Sequence, residues 1–333
     1  MDKILSICIP TYNRIEKVKN QVEFLINEGV CETEEVEVVI SDNASPDGTY
    51  EKYLKNINHR NICVFEQEKN VGLINNLYTV LQKATGKYSW IIGDDDILYP
   101  GIIKHVLKIF HDYPDVGYVF LNHKYVHGNV VTSESVVSCK GGYNKNGLEI
   151  FENLVRESGF GPGMFLSANI YLSSKLTEMN RILEANNEKD NMALPLAYSI
   201  YCANGAAYLV SEAMVEDQLE GASWTEQTIL VHCRDMIAAI NITGDNIGHG
   251  DFIRKLLMSH LPASFPELKY LKVMDKFGKS NYAWEMYSKY FPMRLTIDKI
   301  IGPIIIPLEK IRNKFKRGVI KIKKYIVQRR VLK

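Results

Sequence analysis

The sequence lacks several features that define large classes of protein. None of its six cysteines forms a C-x-x-C pair or clusters with histidines at zinc-ligand spacing. We therefore expect a reduced, cytoplasmic protein without disulfides or structural zinc. No run of about 18 apolar residues is present, so we expect no membrane-spanning helix. The N-terminal stretch MDKILSICIPTYNR reaches Pro10 after a few apolar residues, which indicates a strand and not a signal peptide.

A glycine-rich dinucleotide fingerprint is also missing. The first predicted strand, residues 4–10, is followed by PTYNR where a G-x-G-x-x-G turn would be expected. This absence argues against NAD or FAD as the ligand. A nucleotidyltransferase is disfavoured for a related reason, because its first strand should lead into a glycine-rich phosphate loop with a basic residue after it.

Strands and helices alternate regularly through the first 125 residues. Short β-branched runs are predicted as strands, and amphipathic stretches between them as helices. The predicted strands are residues 4–10, 36–42, 61–67, 88–94 and 116–122, and residues 15–28 and 100–114 are predicted as helices. Residues 70–86 are predicted as a loop, a helix and a glycine stop. This rhythm predicts an α/β fold with a mostly parallel central sheet and helices on both faces. Residues 164–172 are predicted as a further strand and residues 190–205 as a helix.

Polar clusters follow three of these strands. Thr11, Tyr12 and Asn13 follow the first, Asp42 ends the second, and the run Asp94–Asp96 follows the fourth. Ligands of open α/β sheets bind at the carboxyl ends of the strands, so we expect these clusters to share one crevice. Adjacent carboxylates there suit Mg²⁺ or Mn²⁺ bound to a diphosphate. A solvated acidic turn is the alternative.

Asp42 has two interpretations. It opens the turn sequence DNASPDGT, so its carboxylate is expected to bond the backbone of its own turn. The same carboxylate is also suited to accept a hydrogen bond from a nucleoside, as the acidic residue after the second strand does in dinucleotide folds.

Four motifs in order, SICIPTYNR, VVISDNASPDGT, NVGLINN and WIIGDDDIL, resemble the family 2 glycosyltransferases of the GT-A fold. The resemblance implies a Rossmann-like GT-A domain, a nucleotide-sugar donor and a divalent metal, Mg²⁺ or Mn²⁺. In this sequence it implies that Gly72 begins a helix beside the nucleotide and that Asp96 ligates the metal. Asp94 is a second candidate ligand. The residues expected around the donor are Pro10, Thr11, Tyr12, Asp42, Asp94 and Asp95.

The resemblance also implies a general base about ninety residues beyond the metal ligand. The stretch NEKDNMALPLAYSIYCANG carries acidic residues before an apolar helix. Asp190 is the expected base and Glu188 the second candidate. A carboxylate is also favoured electrostatically at the start of a helix, so a purely structural role is the alternative. An arginine that many family members carry in the helix after the NVG turn has no counterpart here.

The charge is distributed unevenly. The formal net charge is +1, but residues 308–333 hold 11 of the 40 Lys and Arg residues and one of the 39 acidic residues. This basic tail also carries Ile, Phe, Val and Tyr, and suits an anionic membrane surface. A solvated helix and nucleic-acid binding are the alternatives. The family resemblance favours the cytoplasmic face of the inner membrane, with no nucleic acid.

We expect three regions: a GT-A domain over residues 1–225, a helical region over 226–307 and the basic tail over 308–333. Within the domain, residues 1–125 would bind the nucleotide sugar and 126–225 the acceptor. The resemblance extends weakly to the abequosyltransferase-like subgroup. It implies transfer from a UDP-, dTDP- or CDP-sugar to a lipid-linked oligosaccharide of a bacterial O-antigen, lipopolysaccharide or capsule. A nucleotidyltransferase and a non-catalytic nucleotide-sugar-binding protein remain the alternatives.

Overall fold

The computed structural model describes residues 3–128, 130–218 and 231–256, without the side chains of His232 and Cys233. By internal contacts the chain divides into two units, one comprising residues 1–231 with 235–260 and the other 232–234 with 261–333. The predicted helical region lies largely outside the described residues, and the basic tail lies wholly outside them. The boundary expected at residue 225 stays a prediction.

A parallel block of four strands forms the N-terminal half of the sheet, in the order β3-β2-β1-β4. Each strand coincides with a predicted apolar run: β1 is Leu5–Thr11, β2 is Val36–Asp42, β3 is Ile62–Glu66 and β4 is Tyr88–Ile91. Every residue of β1, β2 and β4 is buried. A strand covered on both faces needs apolar side chains at consecutive positions, which explains runs such as ICIP and VVI.

The connecting helices follow the predicted amphipathic pattern and lie on both faces. Helices α1 (Ile15–Asn27), α2 (Leu73–Lys83) and α3 (Ile102–Asp112) end within a few residues of their predicted bounds. The buried faces of α1 and α3 form one core with alternate residues of β1 and β2, including Ile7 and Ile40. The opposite β2 face carries Ser41, which bonds to Asn76 of α2. The period-two alternation of a strand produces this division.

The second half of the sheet continues as β4-β9-β6-β10-β5. Strand β9 (Asn169–Leu172) runs antiparallel to both β4 and β6 and separates two parallel blocks. The α/β fold is confirmed, and the antiparallel pairings are an addition to it. The remaining strands are β5 (Ile97–Leu98), β6 (Val116–His127), β7 (Val130–Ser133), β8 (Gly142–Asn144) and β10 (Ala206–Gln218).

Later helices cover this half. They are α4 (Gly147–Ser158), α5 (Gly161–Met164), α6 (Ser173–Ala185), α7 (Leu194–Ala203) and α8 (Met236–Asn246), followed by a helical segment over residues 250–256. Shorter helical turns occur at Thr49–Tyr53, Leu54–Asn56, Leu166–Ala168 and Val231–Asp235.

The strand predicted over residues 164–172 is only partly correct. The short helix α5 begins at Gly161 with Pro162 in its first turn, a helical turn follows, and extended backbone begins only at Asn169. Asn169 holds this arrangement because its amide donates to the carbonyls of Pro162 (2.8 Å) and Phe165 (2.6 Å). Periodicity alone cannot detect a turn that one buried amide stabilises.

Within the described residues, no helix has the length and apolar character needed to cross a membrane. The five cysteines whose side chains are described are free thiols.

Candidate functional site

The three polar strand ends lie at one edge of the sheet, as predicted. Thr11 at the end of β1 pairs in parallel register with Asp42 at the end of β2. On the other side of β1, Cys8 pairs with Ile91, and the amide of Ile92 donates to the Cys8 carbonyl (3.0 Å). The chain leaving β4 therefore carries Asp94–Asp96 past the end of β1.

Asp94 is the most deeply placed of the three carboxylates, with 4% of its surface exposed. It accepts hydrogen bonds from the Thr11 hydroxyl (2.6 Å) and from a guanidinium nitrogen of Arg14 (2.8 Å). Burial raises the pKa of Asp94 above its ordinary value, while the contacts with Thr11 and Arg14 oppose that rise. Asp94 is thus tied to β1 and to the loop that follows it.

Two cations hold Asp95. Arg14 contacts its carboxylate at 3.0 Å, so one guanidinium bridges Asp94 and Asp95, and Lys17 contacts it at 2.8 Å. Both cations belong to the loop and first turn after β1. They offset part of the repulsion among three adjacent carboxylates, because the protein itself places positive charge beside two of them.

Asp96 has a different environment. Its carboxylate accepts a hydrogen bond from the Ser167 hydroxyl, and Ser167 in turn accepts one from the Gly93 amide (2.8 Å). Among the described residues, no lysine or arginine forms an ion pair with Asp96. Burial, together with the charges of Asp95 and Asp217, raises the pKa of Asp96 to about 7, although the Ser167 contact opposes the shift.

Gly93 is required for this placement. A Cβ atom at residue 93 would lie 2.5 Å from the Asp96 carboxylate oxygen. Only glycine lets that carboxylate fold back against the chain, because any larger residue would force it outward.

A fourth carboxylate, Asp217 of β10, approaches the same cluster. Glu216 pairs with Ile97 in the antiparallel ladder between β10 and β5, which carries the next residue of β10 toward Asp96. Burial, and then the charge of Asp95, raises the pKa of Asp217 to about 6. Sequence reasoning missed Asp217 because 121 positions separate it from Asp96.

Asp42 bonds within its own turn. Its two oxygens accept from the amide (3.0 Å) and the hydroxyl of Ser45, and the residue is fully buried. The structure therefore shows the turn-forming interaction, and a contact with a nucleoside base stays a prediction. The adjoining loops are joined, because the Ser45 hydroxyl also accepts from the Asn13 amide (2.7 Å).

The predicted nucleotide-pocket residues border this edge. Pro10 and Thr11 are buried in β1, while Tyr12 beyond them is 41% exposed and presents an aromatic surface. Gly72 precedes α2 with φ +82°, a conformation that favours glycine, and its amide donates to Asn70 (2.9 Å). Gly72 thus begins α2, as expected.

Asp190 lies exposed in the turn before α7, and Glu188 is half-buried there. Glu188 accepts a hydrogen bond from the Asn191 amide (2.9 Å), and the Met192 backbone amide donates to buried Asp235 (3.2 Å). No hydrogen bond or ion pair joins Asp190 to Asp94–Asp96. Its role as a base stays a prediction.

Part of the cluster fits a divalent cation that also binds a ligand. The described residues contain no group of three or more histidine, cysteine, aspartate or glutamate side chains positioned to hold a metal by themselves. Mg²⁺ commonly takes only one or two carboxylates from the protein and its other ligands from phosphate and water. Asp96 is suited to that arrangement because no lysine or arginine of the described residues forms an ion pair with its carboxylate.

Comparison with known proteins identifies the class. Residues 6–169 match the family model described as Glycosyl transferase family 2. That segment belongs to this family; it contains the carboxyl ends of β1, β2 and β4 and ends at Asn169, the first residue of β9. The resemblance of the four motifs is thereby confirmed.

More specific similarities extend this result. Over 114 residues the chain is 35% identical to Abequosyltransferase RfbV of Salmonella typhimurium, a match that spans 34% of this chain and 33% of that protein. The fold is similar to that of S. aureus TarS 1-349, with a TM-score of 0.60 and 18% identity over 87% of this chain and 82% of TarS. A second TarS structure, in complex with UDP-GlcNAc, has a TM-score of 0.60 and 17% identity over 86% of this chain and 80% of TarS. These structures confirm the GT-A architecture.

Proposed function

We propose that this protein transfers a sugar from a nucleoside diphosphate sugar to a hydroxyl group of an acceptor. The observation that carries the proposal is the carboxylate cluster Asp94–Asp96 at the ends of β1 and β4, inside the segment that matches the family. Thr11, Arg14 and Lys17 hold Asp94 and Asp95 in place. Enzymes stabilise the charge of a transition state with such preorganised groups, because these groups need not rearrange as that charge develops.

The residues have distinct proposed roles. Pro10, Thr11 and Tyr12 border the nucleotide, Asp42 and Gly72 position its base, and Asp94 and Asp95 face ribose and sugar. Asp96, with Asp94 as the second candidate, would hold Mg²⁺ or Mn²⁺, and a bound divalent ion neutralises charge on a departing diphosphate. This ligation requires ionised Asp96, a state that burial disfavours until a cation is present.

Asp190 is the proposed general base, with Glu188 as second candidate. As the acceptor oxygen bonds to the anomeric carbon, its proton passes to the Asp190 carboxylate and the bond from that carbon to the diphosphate oxygen breaks. The nucleoside diphosphate leaves with the bonding electrons. Direct displacement of this kind inverts the anomeric configuration.

The similarity to an abequosyltransferase suggests the substrate class. We propose a UDP-, dTDP- or CDP-linked sugar as donor and a lipid-linked oligosaccharide of a bacterial O-antigen, lipopolysaccharide or capsule as acceptor. The complex of TarS with UDP-GlcNAc supports a nucleotide sugar as ligand of the shared fold. The protein would act in the cytoplasm, held by its basic tail at the inner membrane.

A thermal-shift screen of nucleotide sugars, with and without Mn²⁺, tests the donor. A matched donor should raise the melting temperature, because a ligand that binds only the folded state stabilises it. Donor turnover should then fall by about 10²- to 10⁴-fold in Asp190→Asn, as expected for loss of a general base. Asp96→Ala should lose both donor turnover and the Mn²⁺-dependent rise in melting temperature. Undiminished turnover in both variants would contradict the catalytic assignment.

A further inference from the structure

A polar groove crosses one face of the sheet, separate from the carboxylate cluster. It has a volume of about 840 Å³ and lies between α2 and α6, over the beginning of β4. None of the residues expected to bind the donor or the metal lines it. This volume falls within the range of small-molecule sites in proteins.

The lining has an unusual chemical character for a protein cavity. Hydroxyl and amide side chains of both helices face it along their length, among them Asn75, Thr79 and Gln82 of α2 and Ser174, Thr177 and Asn180 of α6. Hydroxyls and amides each donate and accept hydrogen bonds, so a surface of this kind complements a ligand that carries many hydroxyl groups.

Tyr78 supplies a second and independent observation. It lines the groove, is only 8% exposed, and its buried hydroxyl has no hydrogen-bond partner among the residues that the structure describes. A buried polar group without a partner costs stability, so such groups in folded proteins call for an explanation. The hydroxyl is shielded from solvent, so a ligand in the groove would have to draw the Tyr78 side chain toward it to provide that partner.

One end of the groove adjoins the proposed base. Lys189 lines the groove and Asp190 follows it directly in the chain. Burial raises the pKa of Tyr78 to about 12, and the negative charges of Asp190 and Glu184 add to that rise, so Asp190 lies within electrostatic reach of the Tyr78 hydroxyl.

We propose that the groove between α2 and α6 binds the saccharide part of the acceptor and presents one of its hydroxyls toward Asp190. This inference rests on the proposed transferase function and names the site of its second substrate. The hydroxyl and amide lining bonds the sugar hydroxyls, and Tyr78 contributes the deepest contact.

Direct binding of simple glycosides tests the proposal without a donor. The probes are octyl glycosides of glucose, galactose and mannose, and pentaethylene glycol monooctyl ether is the control for the alkyl chain. Saturation-transfer NMR should show binding of at least one glycoside in preference to the ether. Gln82→Trp, which places a bulky side chain at an exposed lining position, should weaken that binding about tenfold.

Tyr78→Phe gives a sharper result because it removes only the unpartnered hydroxyl. The variant should melt at a higher temperature than the wild type and yet bind the glycoside about threefold more weakly. Tyr53→Phe is the matched control, since Tyr53 packs against the core formed with α1 and α3 and does not line the groove. It should leave glycoside binding unchanged.

The outcomes separate the two proposals. No preference of the wild type for glycosides over the ether, or equal glycoside binding by the wild type and Gln82→Trp, overturns the groove assignment even if donor turnover is normal. A different outcome is that the protein binds glycosides, with weaker binding in these variants, and yet turns over no sugar nucleotide. That result would support the groove as a saccharide site and would count only against the transferase function.

Discussion

At the scale of single residues, the three adjacent carboxylates have unequal surroundings. Asp94 and Asp95 share the guanidinium of Arg14, whereas Asp96 has a neutral partner in Ser167. Position in the run therefore decides which carboxylates form ion pairs with cations of the described residues and which one forms none.

The raised pKa of Asp96 predicts a pH-dependent affinity for Mn²⁺. A metal binds the ionised carboxylate, so affinity should rise as the pH increases through about 7. Calorimetric titration with Mn²⁺ and a matched nucleoside diphosphate between pH 5.5 and 8.5 measures this. Asp96→Asn should flatten the dependence without removing it, because Asp217 and the phosphate of the ligand still titrate, and an unchanged profile in that variant would contradict the assignment of Asp96.

The raised pKa of Asp96 also predicts that, without metal, the stability contributed by Asp96 falls as the pH rises. Asp96 binds its proton more tightly in the folded protein than in the unfolded chain. Its favourable contribution is therefore complete below the unfolded pKa and is lost as the pH rises through about 7. In EDTA, the difference in unfolding free energy between wild type and Asp96→Asn should follow this course, as measured by urea denaturation at pH 4 to 8.

Arg14 should matter more than Lys17 for stability. Arg14→Gln leaves the buried Asp94 without a cation and should cost about 1–3 kcal/mol. Lys17→Gln removes one exposed ion pair and should cost less than about 1 kcal/mol. Urea denaturation at pH 7 compares them, and equal losses would show that Arg14 does not stabilise the buried carboxylate.

At the scale of elements, one buried amide joins α2 to the ends of β1 and β2. Asn76 accepts from the Ser41 hydroxyl (2.7 Å) and donates to the carbonyls of Ser41 (3.0 Å) and Thr11 (3.5 Å). The helix, and the loop that begins it, are thereby set against the strand ends that carry the candidate site.

Asn76→Ala should destabilise the protein by about 2 kcal/mol, because it leaves buried backbone and hydroxyl groups without a partner. Asn75→Ala is the matched control one position earlier, since Asn75 is half-buried and its side-chain amide donates to the Val71 carbonyl in the loop before α2 (3.1 Å). Its cost should be a few tenths of a kcal/mol at most, because the variant removes one half-buried bond to the Val71 carbonyl and helix propensity favours alanine. Thermal and urea unfolding of both variants measure the difference.

The charge of Asp217, which the pairing of β10 with β5 brings near Asp96, should influence the pH dependence of the proposed metal site. Asp217→Asn removes a negative charge near Asp95 and Asp96, so the pH midpoint of Mn²⁺ affinity should move downward. Glu216→Gln is the control, because that side chain bonds to the Tyr99 hydroxyl (2.6 Å). A midpoint shifted equally by both variants would indicate a general charge effect.

At the scale of the whole molecule, the charge asymmetry carries the membrane proposal. Residues 1–307 have a formal net charge of −9, and the tail concentrates the cations. An acidic body is repelled by an anionic bilayer, so contact would depend on the tail.

Deletion of residues 308–333 should reduce sedimentation with vesicles of phosphatidylglycerol and phosphatidylethanolamine severalfold, and 0.5 M NaCl should do the same for the full chain. Equal sedimentation of the full and truncated chains would contradict the role of the tail. Vesicles of phosphatidylcholine alone are the control, because they offer no anionic surface.

Sequence alone determined the main strands and helices of the first 125 residues and the edge of the sheet at which the polar residues meet. Apolar periodicity is local, and the rule that parallel strands end at one edge then placed Thr11, Asp42 and Asp94–Asp96 together. The tertiary structure decided the partners. Asp94 meets Arg14 across 80 positions and Asp96 meets Ser167 across 71, separations over which no local pattern specifies contact. The antiparallel placement of β9, the approach of Asp217 and the groove between α2 and α6 also depend on long-range packing, because strand order and burial belong to the folded chain.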